Sequence, residues 1–177
     1  MEENQSFFYF GLFPKFGDLL TSVNMFTDGD WLEYKERKGT GGLASAHSDT
    51  IPLIYNPRTN VNVLTYHKNY DYFADYINNI IQLVSPHLGD ISVKQAMLTR
   101  LRAGAVIKTH KDVGTITAVS HRIHIPIKTN KDCVFTIENE HKHLGAGEMW
   151  MIDNVGRHHS VVNNGDTHRE HLIVDLR

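Results

Sequence analysis

Two segments in the first half of the chain repeat apolar residues at helical spacing. Over residues 15–26, Phe16, Leu19, Leu20, Val23 and Phe26 fall on one side of an α-helical period. Over residues 70–84 the stripe is longer: Phe73, Tyr76, Ile77, Ile80, Ile81 and Val84. Asn69 is placed to cap this second helix, Asp71 suits the positive end of its dipole, and Pro86 marks a stop just beyond its end. Both stripes read as surfaces that pack on a sheet rather than as ligand sites.

From Ile91 the texture changes to short β-type runs separated by turn residues. The pattern predicts strands near residues 95–102, 106–110, 121–128, 133–138, 148–152, 159–162 and 169–176. Between them lie Ala103-Gly104, Thr129-Asn130-Lys131-Asp132, Gly145-Ala146-Gly147 and Asn163-Asn164-Gly165-Asp166. Seven or eight short strands at this spacing indicate a sandwich or barrel rather than a βαβ fold. The expectation is a mainly β protein with flanking helices and a jelly-roll core. It forms one domain over 1–177, in which 1–90 are a helical and β buttress and 91–177 the core. Lys38-Gly39-Thr40-Gly41-Gly42 is the nearest approach to a break and reads as a surface loop inside that domain.

Composition narrows the function classes. Hydrophobic residues make up 41% of the 177 and charged residues 21%, which is globular rather than disordered. Eighteen Lys and Arg against twenty Asp and Glu leave a formal charge of -2, which removes the basic footprint of a dedicated nucleic-acid binder. The start, Met1-Glu2-Glu3-Asn4-Gln5-Ser6, is acidic where a signal peptide needs positive charge, and residues 7–13 are a short apolar run closed by Pro14. No stretch approaches the roughly eighteen apolar residues of a membrane span. A single cysteine, Cys133, excludes an internal disulfide framework and fits a reducing compartment, so a soluble cytoplasmic protein is expected. Within its β-run, Cys133 reads as a small buried apolar residue. The outlying number is twelve histidines, nine of them from His110 onward.

That local excess suggests a metal site. In His110-Lys111-Asp112 the i and i+2 side chains of an extended strand share a face, roughly 6–7 Å apart along the backbone. A histidine pair, His158-His159, follows in a later strand that an antiparallel jelly roll can bring alongside. One His, one Asp and a distant His make the facial triad of non-haem Fe(II) oxygenases, which leaves coordination positions open. In His121-Arg122-Ile123-His124-Ile125-Pro126-Ile127 the alternation puts Arg122 and His124 on one face and the isoleucines on the other. An arginine directed into a barrel needs an anionic partner, because it cannot shed its charge. Arg169, ten residues beyond His159, makes the same demand, which a dicarboxylate co-substrate would meet by a bidentate pair.

The stretch from Leu98 to Asp175 resembles the aspartyl/asparaginyl β-hydroxylase family of Fe(II)- and 2-oxoglutarate-dependent oxygenases. The residues that carry the resemblance are Leu101-Arg102-Ala103-Gly104, His110-x-Asp112, His121-Arg122-Ile123-His124, Gly147-Glu148-Met149-Trp150, Ile152-Asp153, His159-Ser160-Val161-Val162-Asn163 and Arg169-x-x-Leu172-Ile173-Val174-Asp175. The resemblance implies a double-stranded β-helix with His110, Asp112 and a distal histidine on iron. It implies that Arg169 clamps the distal carboxylate of 2-oxoglutarate, assisted by the hydroxyl of Thr99. It places Arg122 and His124 where they contact a carboxylate near the metal, of substrate or co-substrate. The His-x-Val-x-Asn pattern and the ten-residue spacing to Arg169 select His159 over His158, with one extra residue in the loop at 154–157. The metal carboxylate Asp112 sets this chain apart from the membrane-anchored animal members and nearer the small microbial branch, which includes hydroxylases of free amino acids such as proline. His47-Ser48-Asp49-Thr50-Ile51-Pro52-Leu53 is similar to a segment of that branch, so His47 is read either at the edge of the pocket or at the surface.

The function implied is hydroxylation of an unactivated C–H bond of an amino-acid substrate, free or within a peptide, with Fe(II), 2-oxoglutarate and dioxygen. The alternative is a non-enzymatic cupin-like module that binds a small ligand, since jelly rolls host many functions. Asp112 and Arg169 discriminate, because a binding module has no need of both at these spacings; a metal-dependent isomerase or a different dioxygenase would not need Arg169. Among the other histidines, His141-Lys142-His143 reads as an exposed hairpin, His67, His87 and His168 as solvent-facing, and His121 and His171 as supports of the site. Trp31 and Trp150 read as packing residues.

Overall fold

In the computed structural model, which describes residues 5–33, 48–55, 63–112, 120–153 and 155–177, eleven strands and three helices are found. The loop at Lys38–Gly42 and His47 lie outside the described residues. The elements in chain order are β1 (Phe7–Leu12), α1 (Phe16–Asn24), α2 (Asp28–Glu33), β2 (Ser48–Tyr55), β3 (Thr65–Tyr66), α3 (Tyr70–Leu88), β4 (Val93–Leu101), β5 (Val106–His110), β6 (His121–Lys128), β7 (Cys133–Ile137), β8 (Glu140–Lys142), β9 (Glu148–Ile152), β10 (His159–Asn163) and β11 (Arg169–Leu176). They form two antiparallel sheets. The larger runs β1-β9-β6-β11-β4-β2-β3 and the smaller β5-β10-β7-β8. Among the described residues no helix is long and apolar enough to cross a membrane.

The alternation along β11 explains the layering. Every residue of Arg169-Glu170-His171-Leu172-Ile173-Val174-Asp175-Leu176 is buried, because β11 sits at the centre of the larger sheet with cover on both faces. On the outer face Leu172, Val174 and Leu176 join Ile123, Ile125, Leu98 and Met151 beneath Leu19 and Val23 of α1 and Phe73, Ile77, Ile80 and Val84 of α3. On the inner face the larger sheet meets the smaller one through a second cluster that includes Phe7, Leu101, Trp150, Ile152, Phe135, Ile137 and Val161. Of the polar residues of β11, Arg169, His171 and Asp175 share that inner face by their period of two, while Glu170 lies on the other face and pairs with Arg100 and Lys128. A strand covered on both sides that still carries two charges and an imidazole inward is building a site.

Residues from both halves of the chain build the larger sheet. The apolar run at residues 7–12 is an edge strand, pairing Phe7 with Ile152 and Tyr9 with Trp150, with its register shifted at Gly11, whose φ of 101° suits a bulge. Strand β2 pairs with β4, and the register slips between Pro52 and Ile54, where proline has no N–H to give to the ladder. Helix α3 runs through Pro86 to Leu88 and ends at Gly89, φ 85°, rather than stopping before the proline. Pro86 lies in the last turn, where the one bond it forfeits is to the carbonyl of Gln82 on the exposed side. Asn69 occupies the N-cap position without a side-chain cap bond.

Candidate metal centre

Strand β10 is clamped between β5 and β7, and this register carries the candidate ligands. His159 stands opposite His110 across the β5–β10 pair, with ring centroids 4.3 Å apart. Asp112 follows two residues beyond the end of β5. Its Oδ1 lies 3.6 Å from His110 Nε2 and 3.8 Å from His159 Nε2. One ligand atom from each of the three lies within 4.8 Å of the others, and no other such group of His, Cys, Asp and Glu occurs among the described residues.

Each imidazole is held from behind by its own strand. His110 Nδ1 is 2.8 Å from the Lys108 carbonyl and His159 Nδ1 is 3.1 Å from the Arg157 carbonyl. A carbonyl only accepts, so Nδ1 of each ring carries a proton and Nε2 is the nitrogen left to face Asp112. Burial lowers the pKa of His159 below its ordinary value, and the charges of Asp112, His110 and Arg122 act as smaller influences of mixed sign. The ring is therefore neutral and ready to ligate near pH 7. Two imidazole nitrogens and one carboxylate oxygen, oriented in advance, fit a divalent first-row metal with positions left for other ligands. His158 points elsewhere: its side chain is exposed, and its carbonyl accepts from the Glu138 N–H.

The loop and turn on either side of β10 are tied down. Arg157 donates to Ser6 Oγ at 2.8 Å and pairs with Asp153, which anchors the approach to His159. Asn163, with no solvent exposure, donates to the carbonyls of Arg102 at 3.1 Å and Thr167 at 2.9 Å, and accepts from Asn130. The motif's asparagine thus locks the far end of β10 to the ends of β4 and β11.

Arg122, expected beside a carboxylate near the metal, meets two within the protein. Its Nε and Nη2 take the two oxygens of Asp175 at 2.7 and 3.1 Å, and its Nη1 reaches Asp112 Oδ2 at 3.1 Å. Burial works against this cation, but the two carboxylates outweigh it and raise its pKa above the ordinary arginine value. His124, one step along the same face, is buried against His171 and Phe135. Its pKa falls well below the usual value through burial, then through the charges of Arg122 and Arg169.

Arg169 and Thr99 come together as the motif requires. Arg169 Nη1 donates to Thr99 Oγ1 at 3.2 Å, and the guanidinium lies over the Phe135 ring and beside the Cys133 thiol. It is 3% exposed, its Nε has no hydrogen-bond partner, and no carboxylate pairs with it among the described residues. Burial accordingly lowers its pKa, although an arginine keeps its charge. Burying an unpaired cation is costly unless an anion is to be received there.

Asp175 has a part that sequence reasoning left unassigned, although it closes the Arg169-x-x-Leu-Ile-Val-Asp motif. The signal was its even spacing from Arg169 and His171 along one strand. Away from the site, His141 lies within β8, opposite Thr136 of β7, and His143 follows its end; both are exposed, and His143 Nδ1 bonds the Cys133 carbonyl at 3.1 Å. Trp31 packs beneath Arg100, and Trp150 lies in the inter-sheet cluster.

Comparison with known proteins agrees with the geometry. The model of a family described as aspartyl/asparaginyl beta-hydroxylase matches residues 63–177. An L-proline cis-4-hydroxylase of Rhizobium meliloti (strain 1021) is 31% identical over 101 residues. That match covers 57% of this chain but 35% of the relative, so the chain spans only a minor part of the relative's length. In structure, an oxidoreductase of the 2OG-Fe(II) oxygenase family from Burkholderia pseudomallei superposes with a TM-score of 0.62 at 9% identity, over 73% of this chain and 65% of that one. The viral collagen prolyl hydroxylase of Paramecium Bursaria Chlorella virus-1 superposes with a TM-score of 0.59 at 7% identity, over 99% of this chain and 97% of that one. At these identities the likeness establishes a shared fold, with its two-sheet jelly-roll core.

Proposed function

The chain belongs to the aspartyl/asparaginyl β-hydroxylase family, and from that premise we propose that it is an Fe(II)- and 2-oxoglutarate-dependent dioxygenase that hydroxylates an unactivated C–H bond of an amino acid, free or within a peptide. One observation carries the reading. A cluster of two imidazoles and a carboxylate shares the inter-sheet space with Arg169, a buried cation that has no anion of its own.

His110, Asp112 and His159 would hold the iron. Their lone pairs are aimed by the Lys108 and Arg157 carbonyls and by Arg122, so little reorganisation accompanies binding. Bound there, iron with 2-oxoglutarate and dioxygen supplies the oxidising power, and the co-substrate leaves as succinate and carbon dioxide. Arg169 neutralises the distal carboxylate of the co-substrate, and Thr99 fixes the guanidinium that does so. His124 presents its ring to a carboxylate nearer the metal. The two sheets exclude water from the space between these groups.

The binding-module alternative has no use for an open ligand cluster facing an unneutralised arginine. Free L-proline stands first among substrates to try, because the R. meliloti relative bears that name, and peptides with Asp or Asn follow. A single buried cysteine, Cys133, suits a reducing cytoplasm. The test is anaerobic addition of Fe(II) and 2-oxoglutarate, which should produce the weak visible charge-transfer band of a chelated keto acid. The band is expected to vanish in His110→Ala, and its absence from the unaltered protein would refute the oxygenase reading. Succinate release across the substrate panel then identifies what is hydroxylated.

A further inference from the structure

Strands β6 and β11 bring two buried histidines edge to edge. His124 Nδ1 and His171 Nδ1 are 3.2 Å apart, with ring planes at 85°. Phe135 stacks on His171 at 5.7 Å and meets His124 edge-on at 5.5 Å, so one aromatic ring packs against both imidazoles. Both rings are buried, and burial together with the charge of Arg169 keeps both neutral. A neutral imidazole carries one N–H, so one Nδ1 donates and the other accepts.

The two assignments are not equivalent. If His124 donated, His171 would carry its proton on Nε2, an atom buried without any hydrogen-bond partner. If His171 donates, its proton is used in the bond and its Nε2 is a bare lone pair. A buried orphan N–H is the rarer and costlier fault of the two. His171 is therefore the donor, and His124 accepts at Nδ1 and carries its proton on Nε2. That Nε2, unlike the Nε2 of His171, is not both buried and unpartnered, and the ring shares its sheet face with Arg122 and Arg169.

We propose that His171 is a positioning residue that locks His124 in the Nε2–H tautomer, so that this N–H is offered to the metal-proximal carboxylate of the keto-acid co-substrate. The carboxylate half of this inference rests on the oxygenase reading above; the tautomer half does not. In the opposite tautomer a lone pair would face the carboxylate and repel it. The sign of that interaction is thus set by a residue that itself touches neither metal nor co-substrate.

Long-range ¹⁵N–¹H correlation spectra of the metal-free protein read the tautomers directly. Nε2–H on His124 and Nδ1–H on His171 are expected, and Nδ1–H on His124 overturns the proposal. In His171→Leu, the anaerobic Fe(II)-loaded protein should bind 2-oxoglutarate about tenfold more weakly, the worth of one hydrogen bond to a charged group, with Fe(II) affinity unchanged. His171→Asn, whose amide can donate from near the Nδ1 position, should restore most of that loss. Unchanged 2-oxoglutarate affinity in the leucine variant, or no rescue by asparagine, overturns the proposal. The wild-type spectrum decides the tautomers even if the leucine variant fails to fold. A wild-type protein that binds no 2-oxoglutarate would instead refute the oxygenase reading, and the spectrum would still decide the role of His171.

Discussion

Asp175 grips Arg122 by both carboxylate oxygens, 2.7 Å to Nε and 3.1 Å to Nη2, from a position with no solvent exposure. The third nitrogen, Nη1, passes the restraint on to Asp112 Oδ2 at 3.1 Å. The oxygen of Asp112 that faces the two histidines is therefore oriented by a residue on the last strand. Buried bidentate pairs of this kind lose far more when one partner is removed than they contribute as a whole.

Asp175→Asn should loosen Asp112 without touching a ligand. The expected result is a fall of about tenfold or more in Fe(II) affinity, typical for loss of an outer partner of a metal site. Anaerobic Fe(II) titration reads it. Affinity equal to that of the unaltered protein would show that Asp112 needs no such support.

Arg169→Ala removes the buried cation but leaves the ligand cluster intact. Weaker binding of 2-oxoglutarate is expected, by about 1.5–3 kcal/mol or roughly tenfold to a hundredfold, with Fe(II) affinity preserved. Titration of the charge-transfer band separates the two. Loss of both together would mean that Arg169 serves folding rather than the co-substrate.

The stability of the metal-free protein should decline in mild acid. His124 and His171 have folded-state pKa values well below 6.5, mainly because they are buried. Their unfolded values stay near the ordinary one, so below about pH 6.5 the unfolded chain takes up protons that the folded chain refuses. The contribution is complete above that pH and is lost as pH falls toward the depressed folded values, at about 1.4 kcal/mol per pH unit for each ring. Urea midpoints at pH 7.5, 6.5 and 5.5 measure it. A midpoint that does not move between pH 6.5 and 5.5 would contradict the burial of the pair.

Asn163→Ala tests the lock on β10. The change removes one hydrogen bond each from the carbonyls of Arg102 and Thr167 and from the amide of Asn130, and empties a fully buried position, at a cost of about 2 kcal/mol. A lower urea midpoint together with weaker Fe(II) binding is expected, because the same strand carries His159. A midpoint within about 0.5 kcal/mol of the original would assign Asn163 to the surface class of substitutions.

What could be read locally was read from the chain itself. The extents of β5, β6, β9 and β11 follow from runs of β-type residues bounded by turns, because a period of two and a turn residue are properties of neighbours. His110 and Asp112 could be named for the same reason, from their spacing on one strand, and Arg169 as a cation in need of an anion, whereas Thr99 came only with the family resemblance. The reach of α3 through Pro86 could not be read, since the tertiary cover on Val84 outweighs one lost bond at an exposed turn. Nor could the membership of β1 and β2 in the larger sheet, whose partners lie far along the chain.

The site divides in the same way. Residue types and their order are a sequence property, so a candidate donor set of two imidazoles and a carboxylate could be named before any fold. The partners of those residues were not. Arg122 and Asp175 are 53 positions apart and His124 and His171 are 47 apart, and each pair meets only through the β6–β11 register. Register is chosen by the burial of Leu172, Val174, Ile123 and Ile125 on the opposite face, and a slip of one residue would turn every inward polar group outward. The apolar face thus decides which polar groups meet, and only the packed structure contains that decision.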